Sequence, residues 1–238
     1  MPTALVTGGG IRIGRAICLA LGRAGFDVVV HANRSVAAAQ EVVRELAALG
    51  RTARVEQADL STPDGPQSLG QRIDRLDLLV NNAAAYEHAA FRDVTPEQLE
   101  RMLAVNVRAP FLLTQTVLPL LEASGQGAVV NVTDMAVSRA YTATHFFSHY
   151  LASKAALEQL TRALALELGP KVRVNAVAPG PVAIAAETTP AQRADMLARL
   201  PLGREGSPAD VAEAVVYLAQ ATYVTGQTIR VCGGLSIA

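Results

Sequence analysis

Short runs of apolar and β-branched residues alternate along the whole chain with segments whose apolar positions recur at helical spacing. The runs Ala4–Val6, Asp27–His31, Ala53–Gln57, Leu76–Val80, Ala128–Val132, Arg173–Ala178 and Thr228–Val231 predict seven strands. Several are continuously apolar, as parallel strands buried on both faces are. Strand and helix in strict alternation predict βαβ units. The expected fold is α/β: a single Rossmann-type, doubly wound domain over residues 1–238, with a seven-stranded parallel sheet flanked by helices.

Two helix starts are legible. Thr95-Pro96 with Gln98 places a cap, a first-turn proline and a capping-box partner ahead of a helical segment Leu99–Leu121, and Ser207-Pro208-Ala209-Asp210 repeats the device before Val211–Ala219. Ala183–Pro190 is small, polar and poorly periodic, and reads as a mobile loop.

Composition narrows the class. Half of the residues are hydrophobic and 18% are charged, so the chain can bury a large core and is neither disordered nor fibrous. Acidic and basic residues number 21 each, which provides no overall field to draw nucleic acid or an anionic membrane; the expected partners are small molecules and further copies of the chain. Cys18 and Cys232 are too few and too isolated for a disulfide framework or a zinc site, so reduced thiols and no bound metal are expected. No basic and apolar leader precedes Ala4-Leu5-Val6 and no apolar run reads as long enough to span a bilayer, giving the expectation of a soluble cytoplasmic protein.

The first strand runs into Thr7-Gly8-Gly9-Gly10-Ile11-Arg12-Ile13-Gly14 and then a helix over Arg15–Gly22. Glycines at such a turn let the backbone approach a pyrophosphate, and the helix N-terminus directs unpaired N–H groups at it. Arg12 stands where this fingerprint more often has glycine; its guanidinium could pair with the phosphates and reach the substrate side, or be a solvated first-turn cation. The second strand ends in His31-Ala32-Asn33-Arg34-Ser35, without the acid that binds the ribose hydroxyls of NAD. Arg34 could fork onto a 2′-phosphate with a hydroxyl from Ser35, which favours NADPH, while Ser35 could also cap the next helix. Asp59-Leu60 is placed to meet the adenine edge, and Asn81-Asn82-Ala83-Ala84 ends the fourth strand at the edge where cofactors bind, although turn chemistry also explains asparagines there.

Tyr150 and Lys154 are four residues apart on one helix face. A neighbouring ammonium favours phenolate, so this spacing predicts a Tyr150 brought down towards the range of efficient proton exchange and able to donate a proton as hydride arrives.

Together, Thr7 to Gly14, Asp59, Asn81-Asn82-Ala83, Asn106, Tyr150 with Lys154, Asn175 to Gly180, and Thr225-Gly226-Gln227 resemble the short-chain dehydrogenase/reductase family over essentially the whole chain. The resemblance implies a homotetramer built on the long helices, Asn106 positioning a water behind Lys154, and Lys154 binding the nicotinamide ribose. It also implies cofactor contacts from Gly8, Arg12, Ile13, Gly14, His31, Arg34, Ser35, Asp59, Leu60, Asn82, Ala83, Pro179 and Gly180.

A narrower likeness lies in the departures from the general pattern. Asn131-Val132-Thr133-Asp134 puts Asp134 where most members carry the catalytic serine, and with Arg12 and His31 to Ser35 this is similar to pteridine reductases, in which Asp, Tyr and Lys form the catalytic set. Tyr86 falls where that subfamily stacks an aromatic on the pterin. A pterin is planar, rich in donors and acceptors, and reduced at C=N; a carboxylate could hold the Tyr150 hydroxyl or a substrate N–H, and Arg12 and Tyr86 could frame the ring. Asp134 could instead be a loop-capping acid, and Tyr86 could equally be plain packing. Ser138, twelve positions before Tyr150, stands near the usual serine spacing, which leaves Asp134 and Ser138 both open for that role. The stretch between Asp134 and Tyr150 is longer than in those reductases, adding His145, Phe146 and Phe147 near the pocket mouth, and Cys232 replaces a frequent acid as an apolar filler. The leading expectation is NADPH-dependent reduction of a pteridine or dihydropteridine. The alternatives are a carbonyl reductase acting on a 3-oxoacyl thioester, ketone or sugar, and a catalytically idle NADPH-binding sensor or assembly subunit.

Overall fold

A computed structural model describes residues 1–138, 147–182 and 188–238. Their order is β1 (Thr3–Val6), α1 (Arg12–Arg23), β2 (Asp27–Ala32), α2 (Val36–Ala48), β3 (Ala53–Gln57), α3 (Gly65–Gly70), β4 (Leu78–Asn81), α4 (Pro96–Leu103), α5 (Ala109–Ala123), β5 (Gly127–Val132), α6 (Ser148–Leu168), β6 (Val172–Pro179), α7 (Pro190–Ala198), α8 (Pro208–Gln220) and β7 (Thr228–Val231). All pairings are parallel, in the order β3-β2-β1-β4-β5-β6-β7.

The period of two along each strand feeds two cores. On one face Ala4, Val6, Val28, Val30 and Val80 pack with Ile17 and Leu21 of α1, Leu46 of α2, and Val211 and Val215 of α8. On the other, Leu5, Val29, Leu79 and Val129 pack with Leu69 of α3 and Leu113, Val117 and Leu121 of α5. Because both faces are covered, β5 is buried at every position, its polar Asn131 included.

Four expectations need correction. The fourth strand starts at Leu78 rather than Leu76, because Asp77 turns its carboxylate onto the Thr3 N–H at 2.7 Å and regular pairing begins only after it. The first helix starts at Arg12, not Arg15. The segment Leu99–Leu121 is not one regular helix: a π turn, Ala104–Arg108, separates α4 from α5. That same stretch, Pro96–Ala123, is by length and composition long and apolar enough to cross a membrane, against the reading that no such run exists. Leu113, Val117 and Leu121 within it are nevertheless fully buried against the sheet. Both capping boxes form: Thr95 with Gln98, and Ser207 with Asp210. Most of Ala183–Pro190, together with His145 and Phe146, lies outside the described residues.

The chain reverses direction across the sheet between β1 and β4. A crevice at the carboxyl ends of two strands that diverge in this way is where open α/β sheets bind ligands. The glycine turn leaves β1 there, and Asn82 leaves β4.

Candidate active site

Glycine is obligatory in the turn after β1. A Cβ on Gly14 would run into the carbonyl oxygen of Gly8, and one on Gly9 would meet Cys18 Sγ and Val30. Gly8 has φ +65°, and Arg12 has φ +49°, a left-handed conformation uncommon for a residue with a side chain. Arg12 is exposed and opens α1, whose first turn carries no acid, so the helix end is electrostatically suited to an anion.

Several residues expected to touch a cofactor sit beneath the turn. His31 is buried, its Nδ1 accepting the Gly8 N–H at 3.1 Å while Nε2 lies 3.1 Å from the Ala58 carbonyl. Burial pushes its pKa down, so the ring stays neutral and ties β2 to the turn. Asn82 Nδ2 donates to the Thr7 and Gly8 carbonyls at 2.8 and 3.2 Å. Thr7, which the sequence did not single out as a site residue, accepts the N–H groups of Asn82 and Ala83 at 2.9 and 3.0 Å. Leu60 is a core residue, and Ile13 packs against the other core.

At the rim, Arg34 is exposed and Ser35 half-buried; Ser35 occupies the N-cap of α2 without a side-chain capping bond. Asp59 accepts the N–H and hydroxyl of Ser61 at 2.9 and 2.7 Å, which holds its carboxyl below the usual range. Gly180 follows Pro179 where a Cβ would strike Cys232, so the filler role read for Cys232 matches its packing with Met135, Ala178 and Leu200.

The chemical end lies where β5 gives way to a short 3₁₀ turn, Met135–Val137. Asp134 is in extended conformation at its start, with Oδ1 accepting the Ala136 N–H at 2.8 Å. Oδ2 accepts the Tyr150 hydroxyl at 3.1 Å. Ser138 instead donates to the Met135 carbonyl at 2.8 Å and accepts from Arg230 Nε at 3.0 Å, so of the two candidates Asp134 is the one in contact with Tyr150. Lys154, 2% exposed, donates to the Val132 carbonyl at 2.8 Å and holds Nζ 5.8 Å from the centre of the Tyr150 ring.

The electrostatics correct one expectation. Lys154 does not draw Tyr150 down; burial, then the charge and hydrogen bond of Asp134, push the phenol well above its ordinary pKa. Burial raises Asp134 against the opposing pull of Ala136, Tyr150 and Lys154. It also lowers Lys154 to about 8. Tyr150 is therefore a protonated phenol, the form required of an acid in a reduction.

Tyr86 is 55% exposed and meets the Tyr150 ring edge to face, centroids 4.9 Å apart. Asp134 and Arg12 both act electrostatically on its hydroxyl, so the three groups share one neighbourhood. Phe147 lies 4.7 Å from Tyr86, and His88, which sequence reasoning missed, lies 3.9 Å from Phe147. Its position two residues after Tyr86, on the same irregular segment, was the available signal. Asn106 is fully buried, its side chain bonded to Ala85 and Ser153.

A family profile described as enoyl-(acyl carrier protein) reductase matches residues 10–236. L-xylulose reductase of Bos taurus is 40% identical over 97% of this chain and 95% of its own. The chain is a short-chain dehydrogenase/reductase. Among solved members of this oxidoreductase family, the angucycline C-6 ketoreductase LanV with bound NADP superimposes with a TM-score of 0.92 at 33% identity, covering 100% of this chain and 96% of its own. FolM alternative dihydrofolate reductase 1 from Brucella canis, complexed with NADP, does so with 0.88 at 33% identity, covering 100% and 95%.

Proposed function

We propose that this short-chain dehydrogenase/reductase uses NADPH to reduce a flat nitrogen heterocycle of the pteridine or dihydropteridine class. NADPH as the cofactor is supported by the exposed Arg34 at an acid-free end of β2 and by NADP in the related ketoreductase and FolM structures. Gly8, Gly14 and the open end of α1 would hold the pyrophosphate, with Arg34 and Ser35 on the 2′-phosphate, Asp59 near the adenine, and Pro179, Gly180 and Lys154 around the nicotinamide riboside. The dinucleotide supplies hydride when bound.

The observation that carries the substrate reading is the 3.1 Å bond from Tyr150 to Asp134 beside the half-exposed face of Tyr86. Tyr86 offers a ring on which a planar substrate would stack, with Arg12 near enough to act electrostatically on its hydroxyl. Tyr150 gives its hydroxyl proton to the substrate nitrogen. Asp134, raised in pKa by burial and in contact with the phenolic oxygen, is placed to return a proton taken up from solvent to that oxygen, so that one proton reaches the substrate for each hydride. The Lys154 ammonium disperses the negative charge that develops on the phenol during transfer.

A second reading replaces the heterocycle with an aromatic ketone, favoured by the likeness to the angucycline ketoreductase. The two separate on Asp134→Ser. A serine still donates to a carbonyl oxygen but is a neutral and weaker acceptor for a pterin N–H than a carboxylate, so turnover of a dihydropteridine should fall at least about tenfold more than that of a tetralone. Wild-type turnover confined to the ketone would overturn the pteridine assignment. NADPH binding without turnover of any acceptor, unchanged by Tyr150→Phe, would point to an idle binding module.

A further inference from the structure

Tyr86 belongs to no helix or strand, so its distance from Tyr150 is set by what its segment is tied to. The tie runs through the residue before it. Asn106 Oδ1 accepts the Ala85 N–H at 2.8 Å, and Nδ2 donates to the Ala85 carbonyl at 3.0 Å, the double engagement one strand residue gives another. The same Nδ2 donates to Ser153 Oγ at 2.9 Å, and Ser153 in turn donates to the Tyr150 carbonyl at 2.6 Å. Both Asn106 and Ser153 are fully excluded from solvent, where a displaced polar group finds no water to replace its partner.

The chain of bonds closes on itself. From Tyr86 it passes through Ala85, Asn106 and Ser153 to the backbone of Tyr150, and the two tyrosine rings complete it at 4.9 Å. Asn106 projects from the π turn, whose extra residue gives the helix a local register that regular α4 and α5 do not have. Ser153 is the single side chain of α6 that receives this tie, adjacent in sequence to Lys154.

We infer that Ser153 is a positioning residue for substrate selection: by anchoring Asn106 to α6 it fixes how the Tyr86 ring packs edge to face on Tyr150, and so the orientation of the aromatic surface offered to a flat ring. Ser153 touches neither substrate nor cofactor and acts through Asn106 and Ala85. The inference rests on the reading of Tyr86 as a substrate-stacking face.

A double-mutant cycle between Ser153→Ala and Tyr86→Leu tests it, with KM for a dihydropteridine and the NADPH dissociation constant as readouts. Ser153→Ala should raise KM about three- to tenfold, the range expected from loss of one buried hydrogen bond, and leave NADPH binding unchanged. In the Tyr86→Leu background the same change should shift KM less than about twofold, because the face it positions is gone. Ser153→Thr, which keeps the hydroxyl, should recover most of the loss. Ser153→Cys, which fills the space with a poor hydrogen-bonding group, should reproduce Ser153→Ala and replaces it if alanine lowers the melting temperature below the assay temperature. An equal KM change in both backgrounds, or a matching loss of NADPH affinity, overturns the role of Ser153 while leaving that of Tyr86 intact. An unchanged KM in Tyr86→Leu alone removes the stacking face and this inference with it.

Discussion

Two opposing influences meet on the Tyr150 hydroxyl. The Lys154 ammonium would favour phenolate, but burial and the Asp134 carboxyl favour the phenol and prevail. The balance has a pH signature. Lys154 is an ammonium below about 8 and loses its charge above it, so kcat/KM for reduction should fall as pH rises through that range, read from initial rates across a buffer series. A rate that climbs from pH 7 to 9 would contradict this sign. That Tyr150 and Lys154 share one helix face was legible from their spacing, and their singling out from its place within a dinucleotide fold, whereas the direction of the Tyr150 shift was not legible, because it depends on a carboxyl sixteen residues away in sequence that only the fold brings to 3.1 Å. At the cofactor rim, Arg34→Ala should weaken NADPH at least about tenfold more than NADH in fluorescence titrations, the loss of a charge-assisted phosphate contact. Equal losses for both would exclude Arg34 from the 2′-phosphate.

Elements hold these residues in place through buried polar ties as much as through apolar packing. Asn81 of β4 donates to Asn131 of β5 at 2.9 Å, and Asn131 donates to Thr161 of α6 at 2.9 Å, all three side chains buried. This line fastens the helix that carries Tyr150 and Lys154 to the middle of the sheet. Asn131→Val should lower unfolding stability by about 1–3 kcal/mol in urea titration, since it leaves the buried Asn81 amide with only the long 3.5 Å contact to Thr114. A change within about 0.5 kcal/mol would show that the tie is dispensable. The two capping boxes could be read from sequence because each is a local rule of four consecutive residues. The π turn at Asn106 could not, because the apolar spacing runs through Pro96–Ala123 without a break and a single extra residue leaves no mark on it.

Across the whole molecule, the alternation of apolar runs was enough to indicate seven strands, and the continuously apolar runs among them indicated a sheet covered on both sides. Which residues face a ligand was harder to read. His31, Asn82 and Leu60 stand at positions expected to contact a cofactor, yet the first two spend their polar groups on the glycine turn and the third enters the core. Sequence position identifies the neighbourhood of a cleft, while the direction of each side chain depends on hydrogen bonds between β1, β2 and β4. The proposed reduction would bring a dinucleotide to the switch point between β1 and β4 and use Tyr150 as the acid on its substrate side. The most direct test follows NADPH absorbance in the presence of a dihydropteridine and compares wild type with Tyr150→Phe. The account predicts turnover by the wild type, a loss on the order of 10²–10⁴-fold in the variant, and equal NADPH affinity in both. A Tyr150→Phe enzyme that oxidises NADPH at the wild-type rate with the same acceptor would contradict it.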